Sequence, residues 1–137
     1  MTALPALLDT DILSAIMRQD PVAIPKAQTY LIAHERFTFS IITRYEILRG
    51  LKAKGATKQL SAFDRFCDLN TVLPLTDEAI IKASNIYALL RQRGELIGDA
   101  DILIAATALT GGLCVVTNNL KHFQRIPELQ IQNWLQL

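Results

Sequence analysis

The sequence predicts an α/β fold: three layers, with a central, mainly parallel sheet of four to five strands covered by helices on both faces. Three observations predict it. Short strand-like runs, among them Ala6-Leu7-Leu8, Phe37 to Ser40, Thr71-Val72-Leu73 and Leu113 to Thr117, alternate with helical stretches. Ala6-Leu7-Leu8 is apolar throughout, as a strand buried on both sides must be. Half of the 137 residues are apolar and a fifth are charged, with no repeat and no low-complexity linker, which fits one domain over 1–137 with a substantial core.

Taken in order, Ala6 to Leu8 reads as a buried strand that ends in Asp9-Thr10-Asp11 and hands over to a helix from Ile12 to Arg18. Thr10 or Asp11 can cap that helix. Asp20-Pro21 stops it, and Pro21 to His34 reads as a second helix with Pro25 in or near its first turns, completing a helical hairpin. Phe37 to Ser40, aromatic and β-branched, is the second strand. The next helix starts between Ser40 and Thr43 and ends around Gly50 or Leu51, with Thr43 and Glu46 at the spacing of a capping box.

Lys52 to Lys58 reads as a basic break containing Gly55, and Ser61 to Leu69 as an amphipathic helix that turns Phe63, Phe66 and Cys67 to the core. Thr71 to Leu73 is the third strand. Thr76-Asp77-Glu78 opens a long helix that leaves at Arg91 to Gly94. Gly98 to Thr110 is a helix apolar nearly all round, closed by Gly111-Gly112. Leu113 to Thr117 is the most strand-like run of the chain; Lys121 to Phe123 reads as a short helical turn and Leu129 to Ile131 as an edge strand.

Fourteen Lys and Arg against thirteen Asp and Glu leave no global basic field, so any nucleic acid must be gripped locally. Cys67 and Cys114 lie far apart in apolar surroundings, matching neither a metal-binding pair nor a disulfide framework and favouring a reducing compartment. No apolar run reaches the roughly 18 residues of a membrane span, and no basic leader precedes the first strand. A cytoplasmic protein is the expectation.

Parallel sheets place ligands at the C-terminal ends of their strands. Asp9 follows the first strand, Glu46 lies about a turn beyond the second, Asp101 opens the apolar helix, and Asn118-Asn119 follow the Leu113 to Thr117 strand. Asp99 suits a cap, and Glu46 a capping box. Asp101 is harder to account for locally, because an ionised carboxylate beside a buried helix needs a partner or a metal. Oxygen donors converging at one sheet edge are what Mg²⁺ and Mn²⁺ take as ligands. His34 and His122 read as surface or packing residues.

These residues carry a resemblance. Leu8-Asp9-Thr10, Ser40 to Glu46, Ile97-Gly98-x-x-Asp101-x-x-Ile104-Ala105-Ala106, and Val116-Thr117-Asn118-Asn119 followed by Phe123 and Trp134 together resemble a PIN domain of the VapC toxin type, in order and over nearly the whole chain. The resemblance implies a PIN-like α/β/α sandwich and an Mg²⁺- or Mn²⁺-dependent endoribonuclease. It further implies the toxin of a type II toxin-antitoxin pair, silenced by a VapB-like antitoxin, usually homodimeric, and directed at structured RNA such as tRNA or rRNA. Carried over, Asp9, Glu46 and Asp101 are the catalytic, metal-binding acids, and Thr10, Thr117 and Asn119 support them.

The family often has a fourth acid after the last long strand; here that region, Thr117 to Phe123, has no carboxylate, and Asp99 is at best a secondary ligand. Arg44, Arg49 and Lys52, in a cation-rich stretch that extends to Lys54 and Lys58, are the RNA-binding candidates. Ile12, Ile16, Ile47 and Leu51 are expected in the core, with antitoxin contact as the lesser reading. Two rivals stand beside the toxin: a catalytically weak binding or regulatory module on the same fold, and a metal-dependent nuclease outside any toxin-antitoxin pair.

Overall fold

The structure, a computed structural model, describes residues 4–137. Among the described residues five short strands, β1 (Ala6–Leu8), β2 (Thr38–Ser40), β3 (Thr71–Leu73), β4 (Cys114–Val116) and β5 (Ile131–Gln132), all pair in parallel. Hydrogen bonds join β1, β4 and β5 in one set and β2 with β3 in another. Because β2 lies against β1, the order across the layer is β3-β2-β1-β4-β5. The expected sheet is present, with its backbone ladder interrupted between β1 and β2.

Seven helices accompany the strands among the described residues: α1 (Thr10–Met17), α2 (Ala23–His34), α3 (Ile41–Lys54), α4 (Thr57–Leu69), α5 (Asp77–Gln92), α6 (Asp99–Thr110) and α7 (Leu120–Phe123). The period-two alternation of the strands divides the core into two layers. Ala6, Leu8, Cys114 and Val116 face the side covered by α1 to α4 and Trp134, whereas Leu7 and Val115 face α5, α6 and Phe123 of α7. With both faces covered, β1 and β4 have no position for a charged residue, and the first charge after β1 falls on Asp9 at its end.

Helix α6 buries Ile102, Ile104, Ala105, Ala106, Thr107 and Ala108, and packs along α5. Thr107 tolerates burial because its hydroxyl donates to the Leu103 carbonyl at 2.8 Å. Among the described residues no helix is long and apolar enough to cross a membrane. Both cysteines are free thiols.

Local signals are overridden in three places. Asp9, rather than Thr10 or Asp11, is the N-cap of α1. Helix α3 continues through Gly50, where nothing requires a positive φ, and stops only at Gly55, whose φ of 65° gives the left-handed end of the helix. The basic break expected from Lys52 to Lys58 therefore shrinks to Gly55-Ala56, with Lys52 and Lys54 in the last turn of α3, where the helix dipole favours cations. The capping box does not form either: Ser40 caps α3 by accepting the Thr43 N–H at 3.1 Å, and Glu46 turns elsewhere.

Candidate active site

Asp9 sits where β1 gives way to α1, and it is 6% exposed. Its Oδ1 accepts the Thr10 N–H at 2.8 Å, and its Oδ2 accepts the Thr117 hydroxyl at 2.8 Å. Thr117, at the end of β4, accepts the Asn119 N–H at 2.9 Å through the same oxygen. Burial is the main force on the Asp9 carboxyl and raises its pKa to about 7, reinforced by the charge of Asp11 and, less, of Asp101. The bonds from Thr117 and Thr10 oppose that rise and keep it from going further.

Thr10 connects this carboxyl to α3. Its hydroxyl donates to Glu46 Oε1 at 2.7 Å; since a hydroxyl has one proton, the Thr43 hydroxyl 3.1 Å away is left to donate to it. The other Glu46 oxygen lies 3.6 Å from the guanidinium of Arg49, which also stands over the Tyr45 ring, 5.2 Å from its centre. Glu46 is thus positioned by a residue 36 places earlier in the chain, with Arg49 one turn along its own helix, and not by a capping box.

On the other side of Asp9, Asp101 occupies the first turn of α6, where the helix dipole favours a carboxylate. Its Oδ2 lies 3.1 Å from His122 Nδ1 and 3.4 Å from Asn119 Nδ2, and those two nitrogens are 2.8 Å apart. Between the two groups lies Asp11, whose Oδ2 accepts the Asn118 N–H at 3.0 Å while its Oδ1 is buried with no hydrogen-bond partner. Its pKa is raised, first by burial and then by Asp101, against the lowering effect of the Asn118 and Ile12 N–H groups.

The fold therefore gathers Asp9, Thr10, Glu46, Thr117, Asp101 and Asn119 at one end of the sheet. Asp99 is exposed in the first turn of α6, and none of the site's hydrogen bonds reaches it. Of the basic candidates only Arg49 touches a site acid. Arg44 lies half-buried beside Cys67, in a hollow also lined by Asp64 and Asp68, and Lys52 is exposed further along α3. Two site residues escaped the sequence reading: Asp11, detectable as the second acid of Asp9-Thr10-Asp11, and His122, which no local pattern marks.

Surplus oxygen donors with little positive charge are a fit for a divalent cation, and the partnerless Asp11 Oδ1 and the raised Asp9 carboxyl both register that imbalance. Among the described residues no three His, Cys, Asp or Glu side chains are grouped so that they could hold an ion by themselves. An ion here would lean on one or two carboxylates and keep water, as Mg²⁺ commonly does. From Thr10 and Glu46 a groove of about 560 Å³ runs between α1, α3 and α4 to Phe63 and Phe66. Ile16, Ile47 and Leu51 line it, while Ile12 lies wholly in the core.

The chain matches the family model of the PIN domain over residues 6–129. Ribonuclease VapC1 of Haemophilus influenzae is 29% identical over 129 residues, covering 93% of this chain and 96% of that protein. The tRNA(fMet)-specific endonuclease VapC of Salmonella typhimurium is 32% identical over 129 residues, with the same coverage of 93% and 96%. A chain in the crystal structure of DNA-bound VapBC from Salmonella typhimurium superimposes with a TM-score of 0.85 at 32% identity, covering 96% of this chain and 99% of that one. The acids at the strand ends, the parallel five-strand layer and a family match that spans most of the sequence agree: the chain belongs to the PIN domain family, in its VapC branch.

Proposed function

We propose that the protein is a VapC-type toxin: an endoribonuclease that hydrolyses phosphodiester bonds in structured RNA, tRNA or rRNA, with Mg²⁺ or Mn²⁺, and is neutralised by a VapB-like antitoxin. The observation that carries the reading is that Asp9, Glu46 and Asp101 belong to one hydrogen-bond network at the C-terminal edge of a parallel sheet, linked through Thr10, Thr117 and Asn119. The similarity to proteins named ribonucleases and to chains solved in VapBC complexes supports the activity and the partner.

Asp9 and Asp101 would hold the cation, with Glu46 as the third acid. When bound, the cation supplies an activated water and neutralises charge on the leaving oxygen. Thr117 and Thr10 hold the Asp9 and Glu46 carboxylates against rotation, which presets the geometry in which a phosphate can be seated. Arg49, near Glu46 and largely exposed, is the cation best placed to meet an RNA phosphate. The groove beside Glu46 is apolar enough to take a partner segment, and the homodimer expected of the family belongs to the same proposal.

One feature favours a second reading, a binding module of weak activity: Asn118-Asn119 stand where a fourth acid is expected. Purified protein free of antitoxin, incubated with total tRNA and rRNA in Mg²⁺, Mn²⁺ or EDTA beside an Asp101→Asn variant, separates the two. Discrete cuts that need the metal and vanish in the variant are the expected result. RNA bound but uncut in every metal would replace the nuclease with the binding module.

A further inference from the structure

Three side-chain atoms form a close triangle where the first turn of α6 meets α7. His122 Nδ1 is 3.1 Å from Asp101 Oδ2 and 2.8 Å from Asn119 Nδ2, and the third edge of the triangle is 3.4 Å. A ring nitrogen carries either a proton or a lone pair. With the proton, it serves Asp101 but meets the NH₂ of Asn119 as donor against donor. With the lone pair, it accepts from Asn119 but faces an ionised carboxylate. Rotating the Asn119 amide by half a turn brings Oδ1 to the place of Nδ2; a protonated ring nitrogen then shares one N–H between the two oxygens, whereas an unprotonated one leaves three lone pairs pointing at one another, the arrangement a cation takes up.

Such a triangle has the dimensions of a coordination face. Ligand atoms on one face of an octahedral ion with bonds of about 2.1 Å lie about 3.0 Å apart, and the three edges, 2.8 to 3.4 Å, bracket that spacing. The atoms are also reachable: the side chains of His122 and Asp101 are 39% and 23% exposed. Asp9 and Asp11 add negative charge behind them.

We propose that Asp101 Oδ2, His122 Nδ1 and Asn119 Oδ1 form three ligands on one face of a divalent cation, so that an imidazole stands where a fourth acid is missing and the centre favours transition metals over Mg²⁺. The proposal rests on the metal-dependent reading above and goes beyond it by naming a nitrogen ligand and a metal preference. The chemistry follows from ligand type. Mg²⁺ takes oxygen, whereas imidazole is a favoured ligand of the later first-row metals, so a nitrogen in the shell weighs against Mg²⁺. Only two of the three ligands are of the His, Cys, Asp or Glu kind, and the third is an amide.

The test uses the whole protein without antitoxin, with Mn²⁺ and Mg²⁺ as probes. Calorimetry gives the affinity for each ion, and pulsed EPR of the Mn²⁺ complex reads ¹⁴N coupling from a bound imidazole. The expected result is a nitrogen coupling in the native protein that His122→Ala abolishes, with Mn²⁺ affinity falling about tenfold or more and Mg²⁺ affinity much less changed. Asn119→Asp, which keeps the side-chain shape and supplies a carboxylate, should tighten Mg²⁺ and narrow the gap between the two ions. Mn²⁺ bound without nitrogen coupling, and equally well by His122→Ala, would overturn the proposal and leave the metal-dependent nuclease standing. Native protein that binds no Mn²⁺ at all would overturn both.

Discussion

The candidate site has two halves of different construction. The inner half, Asp9 with Thr117, Thr10 and Glu46, grows from strand ends and is closed by hydrogen bonds of 2.7 to 2.8 Å between residues far apart in sequence. The outer half, Asp101 with Asn119 and His122, is assembled from the first turn of α6 and the start of α7, is partly exposed, and brings three ligand-type atoms within 2.8 to 3.4 Å of one another. The contrast separates two tasks. Inner residues are coupled to folding as well as to chemistry, while outer residues can change the chemistry with little effect on the fold.

The largest expected effect breaks activity on both sides. Asp9→Asn and Asp101→Asn should each lower metal-dependent RNA cleavage by at least about a thousandfold, the kinetic equivalent of ~4 kcal/mol. Only the inner variant should also change stability, which thermal unfolding of the two proteins in EDTA would compare. A nearly unchanged cleavage rate in either would remove that half from the site.

Next comes pH. The folded protein holds Asp9 at about 7 against an ordinary value of 3.8, so between those values the native state binds a proton that the unfolded chain has lost. Stability of the metal-free protein should therefore fall as pH rises through that window, by up to about 4 kcal/mol. The melting midpoint in EDTA is expected to be higher at pH 5 than at pH 8, and Asp9→Asn should flatten the difference. A divalent metal at a hundred times its Kd should restore about 2.7 kcal/mol at pH 8.

Smaller effects sharpen the contrast. Thr117→Val strips Asp9 Oδ2 of its donor and should cost about 1–3 kcal/mol in chemical denaturation. Arg49→Ala breaks only surface contacts, with Glu46 and the Tyr45 ring, so stability should shift by less than about 1 kcal/mol. Its effect belongs to RNA: weaker binding, with the salt dependence reduced by about one unit of slope. An unchanged slope would remove Arg49 from the phosphate path.

One acid of each half was legible because charge beside an apolar strand or a buried helix stands out in one dimension. Asp9 and Asp101 announce themselves by breaking the runs Ala6 to Leu8 and Ile102 to Leu109. The partners were not. The Thr43 and Glu46 spacing suggested a capping box, yet Glu46 reaches Thr10 on another helix, because a half-buried hydroxyl across the sheet edge competes with the local option. His122 looked like a surface residue, since nothing within a few positions shows that α7 carries it to Asp101. Strand positions fared better than helix ends: β1 and β3 fall where the sequence puts them, whereas α3 runs past Gly50 to Gly55, because glycine permits a stop without requiring one.

The bond between Asp9 and Thr117 also sets a schedule. Its two ends are 108 residues apart, and β1 has no ladder partner until β4 exists. At synthesis rates of roughly 5–20 residues per second, about 5 to 20 s separate the making of the first acid from the arrival of the threonine that holds it. Until then Asp9, Glu46 and Asp101 hang on a chain whose central pairing is missing. A ribosome stalled before residue 117 carries the acids without the site, so Asp9 gains its second hydrogen bond only after β4 has been made.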